Sequence, residues 1–558
     1  MADKNTDLNL LDFQRPARYL GKEWNLDTKH YSRSKLKICL CFPQMYEIGM
    51  SSLGFLIVYH LLNSLPEVSC ERCFLPGEDL EKYLFKEKKP LFSLETKTPL
   101  KDFDITAFSI NYELNFINFL KMLYLGGIPL KSKERDTPLV FIGGLNNPEP
   151  LSDFTDIFFL GEFEEQAEKI VKTLIKSKGL SKKDTLLSLS GIEGIYLPGL
   201  YYNDNHTLKP AGKESPQRPK RAYVKDLNRS FYPDKWIVPY IPIVFDRAQV
   251  EIQRGCPNTC KFCQARSIYY PYREKKKAKI ITSIKQLFDS TGYETISLTG
   301  LSVIDYSKLK ELITEILPYL RKKKIGISIP SLKPSMKAIE ILELLNFNGK
   351  PGITLALETA NDRLRESLGK NISLSDCYQT AKAAAKLNYT HFKMYFMAGL
   401  PNETEEDILG IGDIVENMAY HYKKEKGHNP KINTTVSCFI PKPFSEFQEH
   451  RLISLESFSK KRSLLRGRIS RNKNIKINFS NYSKSYLETV LSRSDRTIAP
   501  LIERIFNKTL LSDLDWINPD IWQKEAEELG LDLDIYTQTS RTLPKHIEMA
   551  APFGRRKR

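Results

Sequence analysis

The chain has 558 residues, 41% of them hydrophobic and 27% charged, with a formal net charge of +17. That length exceeds what one hydrophobic core can serve and predicts roughly three or four folding units. The balance of residue types excludes a disordered or membrane-embedded chain. No run of about 18 apolar residues occurs, and residues 1–7 lack the basic-then-apolar pattern of an export signal. The expected location is therefore the cytoplasm, with no membrane partner. Nine cysteines are too few for a disulfide scaffold, and a reducing compartment favours metal or redox use for those that cluster. The basic balance favours a polyanionic partner.

After an N-terminal extension over residues 1–34, short apolar strands alternate with amphipathic helices. Strands are predicted over 36–42, 103–110, 139–142 and 157–160, and helices over 52–65, 113–125 and 164–176. Short buried strands separated by helices imply a parallel sheet covered on both faces, a Rossmann-like domain over residues 35–180. Residues 181–245, rich in Lys, Pro, Tyr and Asp without sustained periodicity, read as a connecting segment with short strands.

A second alternation fills residues 246–450. Its strands are expected over 250–253, 295–298, 325–329, 353–357, 392–397 and 434–440, with helices over 283–290, 307–323, 336–345, 375–387 and 405–422. That pattern fits a partial (β/α)6 barrel, whose chemistry gathers at the carboxyl ends of the strands. Residues 451–558 form a basic C-terminal region, a small α+β unit. Lys460, Lys461, Arg462, Arg466, Arg468, Arg471, Lys473 and Lys476 lie in a stretch without acidic residues, followed by a β-like segment over 475–482 and helices over 484–493 and 498–506. The chain ends in the basic tail Arg555–Arg558.

Directly after the first barrel strand stand Cys256, Cys260 and Cys263, in C-x3-C-x2-C spacing. Three cysteines on one loop can hold three corners of a [4Fe–4S] cluster and leave the fourth iron open, whereas electron-carrying clusters take four thiolates. The competing readings are a zinc site or three unrelated buried cysteines. Structural zinc wants a fourth ligand, usually from a second pair, and none follows closely. Phe262 stands where an aromatic ring could lie against a planar base. Thr299, Gly300 and Ser302 follow the second strand, and Glu358 ends the fourth, where its carboxylate could accept hydrogen bonds from ribose hydroxyls. Gly399 after the fifth strand permits close backbone approach to a ligand. Lys393 and Tyr395 alternate with apolar residues, so they can share the barrel's inner face. Pro441 and Pro443 after the sixth strand would stiffen a lid over the mouth.

The cysteine loop resembles that of the radical S-adenosylmethionine (radical SAM) superfamily. The order of a Rossmann-like domain before such a barrel resembles the cobalamin-dependent radical SAM class. The segments 42–51, 90–95, 112–115, 148–150 and 439–443, with a less distinct likeness over 486–493, resemble a family of cobalamin-binding-domain radical SAM fusion proteins. The resemblance implies a [4Fe–4S] cluster on Cys256, Cys260 and Cys263, S-adenosylmethionine on its open iron, and an electron donor such as flavodoxin or ferredoxin. It also implies a 5′-deoxyadenosyl radical that abstracts hydrogen from an unreactive carbon. Superfamily members often carry Gly-Gly-Glu after the second strand to meet the methionine ammonium. Here Thr299-Gly300-Leu301-Ser302 has no acidic residue, leaving backbone carbonyls and the hydroxyls of Thr299 or Ser302.

The resemblance also raises cobalamin. Its domains often use an Asp-x-His-x-x-Gly turn whose His ligates cobalt, where this chain has Gln44, Tyr46 and Gly49. A phenol is a poor cobalt ligand beside imidazole, so a corrinoid would be held without a His ligand by contacts around Ser109 and Gly143-Gly144. Without a corrinoid, the domain would serve packing or substrate binding. Cys39, Cys41, Cys70 and Cys73 could form a second metal centre, or be buried as small apolar groups. Cys377 and Cys438 read as core.

The basic stretch over 460–476 near Phe479, Tyr482 and Tyr486, with Lys275, Lys276, Lys277 and Lys279 by the barrel mouth, suits RNA or a ribosome-associated target. Read blandly, it is a solvated helix face. The leading function is radical SAM modification of an unreactive carbon, as methyl transfer to such a target. The alternatives are methylthiotransferase-like sulfur insertion with a second cluster, and a non-catalytic binding protein that keeps a cluster for structure.

Overall fold

The computed structural model describes residues 9–27, 31–204, 207–216, 219–330, 332–346, 352–469, 472–511 and 514–538. Arg471 and the Arg555–Arg558 tail lie outside the described residues. The first domain is a six-stranded sheet in the order β2-β1-β3-β4-β5-β6, made of β1 (Leu36–Phe42), β2 (Val68–Phe74), β3 (Ile105–Ser109), β4 (Leu139–Gly143), β5 (Ile157–Phe159) and β6 (Ile195–Tyr196). The first five are parallel and β6 is antiparallel. The parallel order 2-1-3-4-5 is doubly wound and places its switch point between the carboxyl ends of β1 and β3, where such sheets bind ligands.

The sequence pattern misses β2 because Ser69, Glu71 and Arg72 interrupt its apolar run, yet the strand is buried throughout. Those polar groups find partners inside the protein. Arg72, with no exposed surface, pairs with Glu23 and with Glu95, each at 2.7 Å, and Glu71 accepts from Ser93 Oγ at 2.6 Å and Thr96 Oγ1 at 2.8 Å. Buried charge is tolerated only when paired in this way. The connecting segment contains short strands, as expected: β6 joins the sheet, and β7 (Tyr201–Asp204) and β8 (Thr207–Pro210) form a hairpin.

The barrel begins with β9 (Ala248–Glu251), followed by β10 (Gln253–Arg254) and β11 (Arg273–Glu274), which pair antiparallel across the cysteine loop. Then come β12 (Thr295–Thr299), β13 (Gly326–Ser328), β14 (Ile353–Glu358), β15 (His391–Ala398) and β16 (Lys431–Cys438). All six expected barrel strands form, as two parallel sheets ordered β13-β12-β9 and β14-β15-β16-β17. The seventh strand, β17 (Ile475–Phe479), corrects the six-strand expectation. It pairs in parallel with β16, so the β-part of the supposed separate C-terminal unit belongs to the barrel sheet. Beyond it the described chain is helical: Tyr482–Arg493, Ala499–Leu511, Pro519–Glu528 and Asp534–Gln538, with a 3-10 turn at Arg496–Ile498.

These helices clamp the two domains together. Asn147 Nδ2 donates to the carbonyls of Ser492 and Ser494 at 3.1 and 2.7 Å, and Arg496 pairs with the buried Glu149 at 2.8 Å. Lys442, in the expected lid, reaches Glu113 and Glu488, each at 2.8 Å. No helix among the described residues is long and apolar enough to cross a membrane.

Candidate active site at the cysteine loop and the interdomain cavity

Cys256, Cys260 and Cys263 are half-buried on the loop between β10 and the helix Gln264–Ile268. Neighbouring elements hold this loop at both ends. The Lys261 amide donates to the carbonyl of Leu368 at 2.9 Å, Thr259 Oγ1 donates to that of Gly369 at 3.2 Å, and Gln264 Nε2 donates to that of Pro443 at 3.1 Å. Gly369 has φ +68°, and a side chain there would meet the Thr259 carbonyl at 2.4 Å. No group of three His, Cys, Asp or Glu among the described residues closes around a point that would hold one metal ion. Burial pushes the Cys260 thiol up to about 11, with Lys370 pulling the other way, and burial also raises Cys263.

Lys370, which the sequence reading missed, is the cation of this site. Its Nζ donates to Glu358 Oε1 at 2.9 Å and lies 6.0 Å from the centroid of the Phe262 ring. Burial works against its charge, but Glu358 and Cys260 outweigh burial and raise its pKa. Glu358 stands at a register shift between β14 and β15 with φ +71°, a conformation costly for a residue with a side chain and typical of functional sites. Phe262 anchors the loop in a small apolar cluster with Leu364, Leu368, Leu400 and Phe439.

Asp305, likewise missed, provides a carboxylate that the Thr299–Ser302 turn lacks. Its Oδ2 accepts from Asn258 Nδ2 at 2.6 Å and Ser302 Oγ at 2.7 Å, while the same Asn258 amide lies 3.4 Å from Cys256 Sγ. Only its position beside Asn258 marks it, and the sequence pattern does not reveal that neighbour. Ser302 is thus engaged, whereas Thr299 Oγ1 is buried with no hydrogen-bond partner among the described residues. Gly300 packs on Gln253, whose Cγ would lie 2.6 Å from an added Cβ. Gly399 has φ +91°, and a side chain there would meet Ile453, 2.8 Å from an added Cβ.

A cavity of about 450 Å³ lies between the domains. Ile38, Leu40, Ile57 and Phe108 give it an apolar floor, Gly143 and Gly144 mark the end of β4, and Gly255, Thr299 and Gly300 close it from the barrel. A side chain added at Gly54 or Gly143 would meet nothing within 4 Å. Arg254 edges the cavity, paired with Glu162 at 3.1 Å, Glu164 at 2.8 Å and Glu251 at 3.0 Å, and Arg273 joins Glu162 at 2.7 Å. Burial opposes the charge on Glu251, yet Arg254 and Lys275 hold it below its ordinary value. Among the described residues, no histidine lines the cavity. Tyr46 is turned away into the core, donating to Glu23 Oε1 at 2.9 Å and packing edge-on against Phe74.

Two other expectations change. Cys39, Cys41 and Cys73 share one face of β1 and β2, with Sγ of Cys39 and Cys41 3.8 Å apart, but Cys70 pairs with Ile38 on the opposite face. All four are buried, and they do not converge as ligands of a second centre. The basic stretch is largely paired within the chain: Lys460 with Glu405 and Lys461 with Glu403 at 2.6 Å, Arg468 with Asp413 and Glu416, and Arg466 over the Phe479 ring. By the barrel mouth, Lys275 pairs with Glu251, Lys277 with Glu315, and Lys279 donates to the Asn228 carbonyl.

Residues 54–198 match the family described as Radical SAM proteins, N-terminal, and residues 250–414 match the Radical SAM superfamily. The chain belongs to the radical SAM superfamily and is a radical SAM enzyme. Among its relatives, an uncharacterised protein of Methanocaldococcus jannaschii is 26% identical over 482 residues, covering 85% of this chain and 92% of that one. A ribosomal protein uS12 methylthiotransferase of Desulfotalea psychrophila is 26% identical over 179 residues, but these span only 31% of this chain and 40% of the relative. In fold, the chain resembles the radical S-adenosylmethionine methyltransferase TsrM of Kitasatospora setae, solved with cobalamin and a [4Fe–4S] cluster. The TM-score is 0.55 at 11% identity, over 85% of this chain and 99% of that one.

Proposed function

We propose that the chain holds a [4Fe–4S] cluster on Cys256, Cys260 and Cys263, binds S-adenosylmethionine beside it, and transfers a methyl group to an unreactive carbon with a corrinoid seated in the interdomain cavity. The observation that carries this reading is the shared wall: Gly255, the neighbour of Cys256, lines the cavity together with Thr299 and Gly300. When bound, the cluster supplies one electron that breaks a carbon–sulfur bond of the sulfonium, and the corrinoid supplies a methyl carrier. A flavodoxin or ferredoxin is the proposed source of the electron.

The chain's own residues bind and orient. Lys370 places a positive charge beside the cluster thiols, Glu358 offers its second carboxylate oxygen to ribose hydroxyls, and Asp305 fixes the loop through Asn258. The apolar walls exclude water from the reacting groups. The lack of an imidazole among the described residues lining the cavity, and the inward turn of Tyr46, favour a corrinoid held without a protein ligand on cobalt. The open space above Gly54 and Gly143 gives it room. Sulfur insertion would need a second cluster, and the divided cysteines of β1 and β2 offer no site for one. RNA or a ribosome-associated molecule remains the proposed target, in keeping with the printed names of the methylthiotransferase relatives.

Anaerobic reconstitution of the full chain with iron, sulfide, dithionite, S-adenosylmethionine and excess cobalamin, followed by removal of unbound cobalamin, tests the reading. Cleavage of S-adenosylmethionine is expected, together with cobalamin bound in stoichiometric amount. An intact cluster that leaves S-adenosylmethionine uncut overturns the enzymatic reading, and cobalt at background overturns the corrinoid.

A further inference from the structure

The sheet β14-β15-β16-β17 has one closed and one open face, and the registers show what the open face offers. Ile353, Phe392, Ile432 and Ile475 stand side by side across the four strands, as do Leu355, Met394, Thr434 and Ile477. These rows face the helices: Phe392 meets Tyr422 edge-on, and Phe458 meets Phe479. The alternate residues form the opposite rows, because side chains on a strand alternate between faces. One row is Thr354, Lys393, Asn433 and Lys476, and the next toward the cluster is Ala356, Tyr395, Thr435 and Asn478. Lys393, Asn433, Lys476 and Asn478 are exposed, and Tyr395 is 40% exposed.

Neither Lys393 nor Lys476 has a salt-bridge partner among the described residues, in contrast to Lys460, Lys461 and Arg468 nearby. No acidic side chain stands in either row. The carboxylate of the row above, Glu358, is already paired with Lys370. A row with two free ammonium groups flanking an amide is complementary to an oxyanion. The exposed phenol ring lies one row, about 7 Å, away along the strand, the scale of a single nucleotide, and an aromatic platform of this kind accepts a base by stacking.

We propose that the inner face of β15, β16 and β17 receives the phosphate and base of a nucleotide in the substrate, with Lys393 and Lys476 on the phosphate and Tyr395 against the base. This deepens the proposed function, on which it rests, by naming the substrate's recognised group and the side chains that take it. The face lies below the strand ends that carry Glu358 and the cluster loop, so a nucleotide held there points its neighbour toward the reacting site.

Binding of adenosine, cytidine, guanosine and uridine 5′-monophosphates to the reconstituted full chain, each compared with its nucleoside, tests the assignment. Nucleotides are expected to bind at least tenfold more tightly than nucleosides, with the advantage weakening at high salt. Lys393→Ala and Lys476→Ala should each reduce the phosphate advantage by roughly tenfold, and Tyr395→Ala should weaken nucleotide and nucleoside alike. Lys393→Arg should restore much of the phosphate binding. Equal binding of nucleotide and nucleoside, or unaltered nucleotide binding in the double lysine variant with a native circular dichroism spectrum, overturns the proposal. So does lysine-dependent binding of free amino-acid carboxylates in place of nucleotides. S-adenosylmethionine cleavage by the unaltered chain is read separately, so a failure of the radical SAM reading is distinguishable from a failure of this one.

Discussion

Two groups of cysteines sit in this molecule under opposite conditions. Cys39, Cys41 and Cys73 lie side by side on packed strands, with no exposed surface on the first two and 1% on the third. Cys256, Cys260 and Cys263 ride a loop that is half-open, tied down by its neighbours' hydrogen bonds, and flanked by Lys370. Proximity of thiols alone does not make a metal site, since Sγ of Cys39 and Cys41 lie 3.8 Å apart on a packed face. A ligand set needs room for the inorganic core and an approach from outside, and a close-packed sheet face supplies neither.

That contrast breaks most readily at the loop. Cys260→Ala should cost more than about 100-fold in S-adenosylmethionine cleavage, beyond the loss typical of outer-shell partners, with iron lost from the reconstituted protein. A variant that keeps its iron would refute the ligand set. The face of β1 opposite its cysteines gives the next test. Gly54→Leu projects into the cavity, so cobalamin retention should fall at least tenfold, while thermal stability holds or rises by up to about 1 kcal/mol from better helix propensity. Parallel loss of both would mean that the cavity is part of the core.

Cys41→Ser buries a hydroxyl where a thiol packed and should destabilise the chain by about 1–3 kcal/mol in denaturant unfolding, with iron content unchanged. Loss of iron from this variant would instead give the buried thiols a metal. Lys370→Met removes the cation beside the loop, so a redox titration should find the cluster harder to reduce, by on the order of 60 mV, one tenfold step for a single electron. A potential that does not move would leave Lys370 serving only Glu358.

The smallest effect lies outside the interdomain cavity, in a separate pocket lined by Asp27, His60 and Lys235. Asp27 is hydrogen-bonded to His60 on the helix Leu53–Ser64, and that bond, with Lys235, holds its carboxyl at about 2 against an ordinary 3.8. A depressed carboxylate stabilises the fold at pH above its unfolded value and loses that contribution as pH falls toward the folded one. Acid unfolding of Asp27→Asn should therefore show a shallower loss of stability between pH of about 4 and 2 than the unaltered chain. Superimposable acid transitions would show that the pair contributes nothing.

Much of the architecture was legible along the chain because it is periodic. Strands such as Leu36–Phe42 and His391–Ala398 declare themselves by local apolar pattern, and the cysteine spacing declares a three-ligand loop. What escaped was long-range. Strand β2 hides its Glu71 and Arg72 because their partners are Ser93, Thr96, Glu23 and Glu95. Strand β17 lies past the expected barrel boundary because register with Ile432 to Val436 decides its place. The basic stretch after Ser454 carries no local sign of its acidic partners, which lie on the helix Glu405–Lys426.

The sequence by itself determined the alternation of strands and helices, the order of the two domains, and the C-x3-C-x2-C spacing of the cysteine loop, all of which depend on spacing between near neighbours. Tertiary structure alone decided that Lys370 and Asp305 stand by that loop, that Gly255 shares a wall with the first domain's cavity, and that Cys70 is parted from its fellows. These depend on which distant segments pack together. Burial and charge pairing select that arrangement from contacts that a linear pattern does not encode.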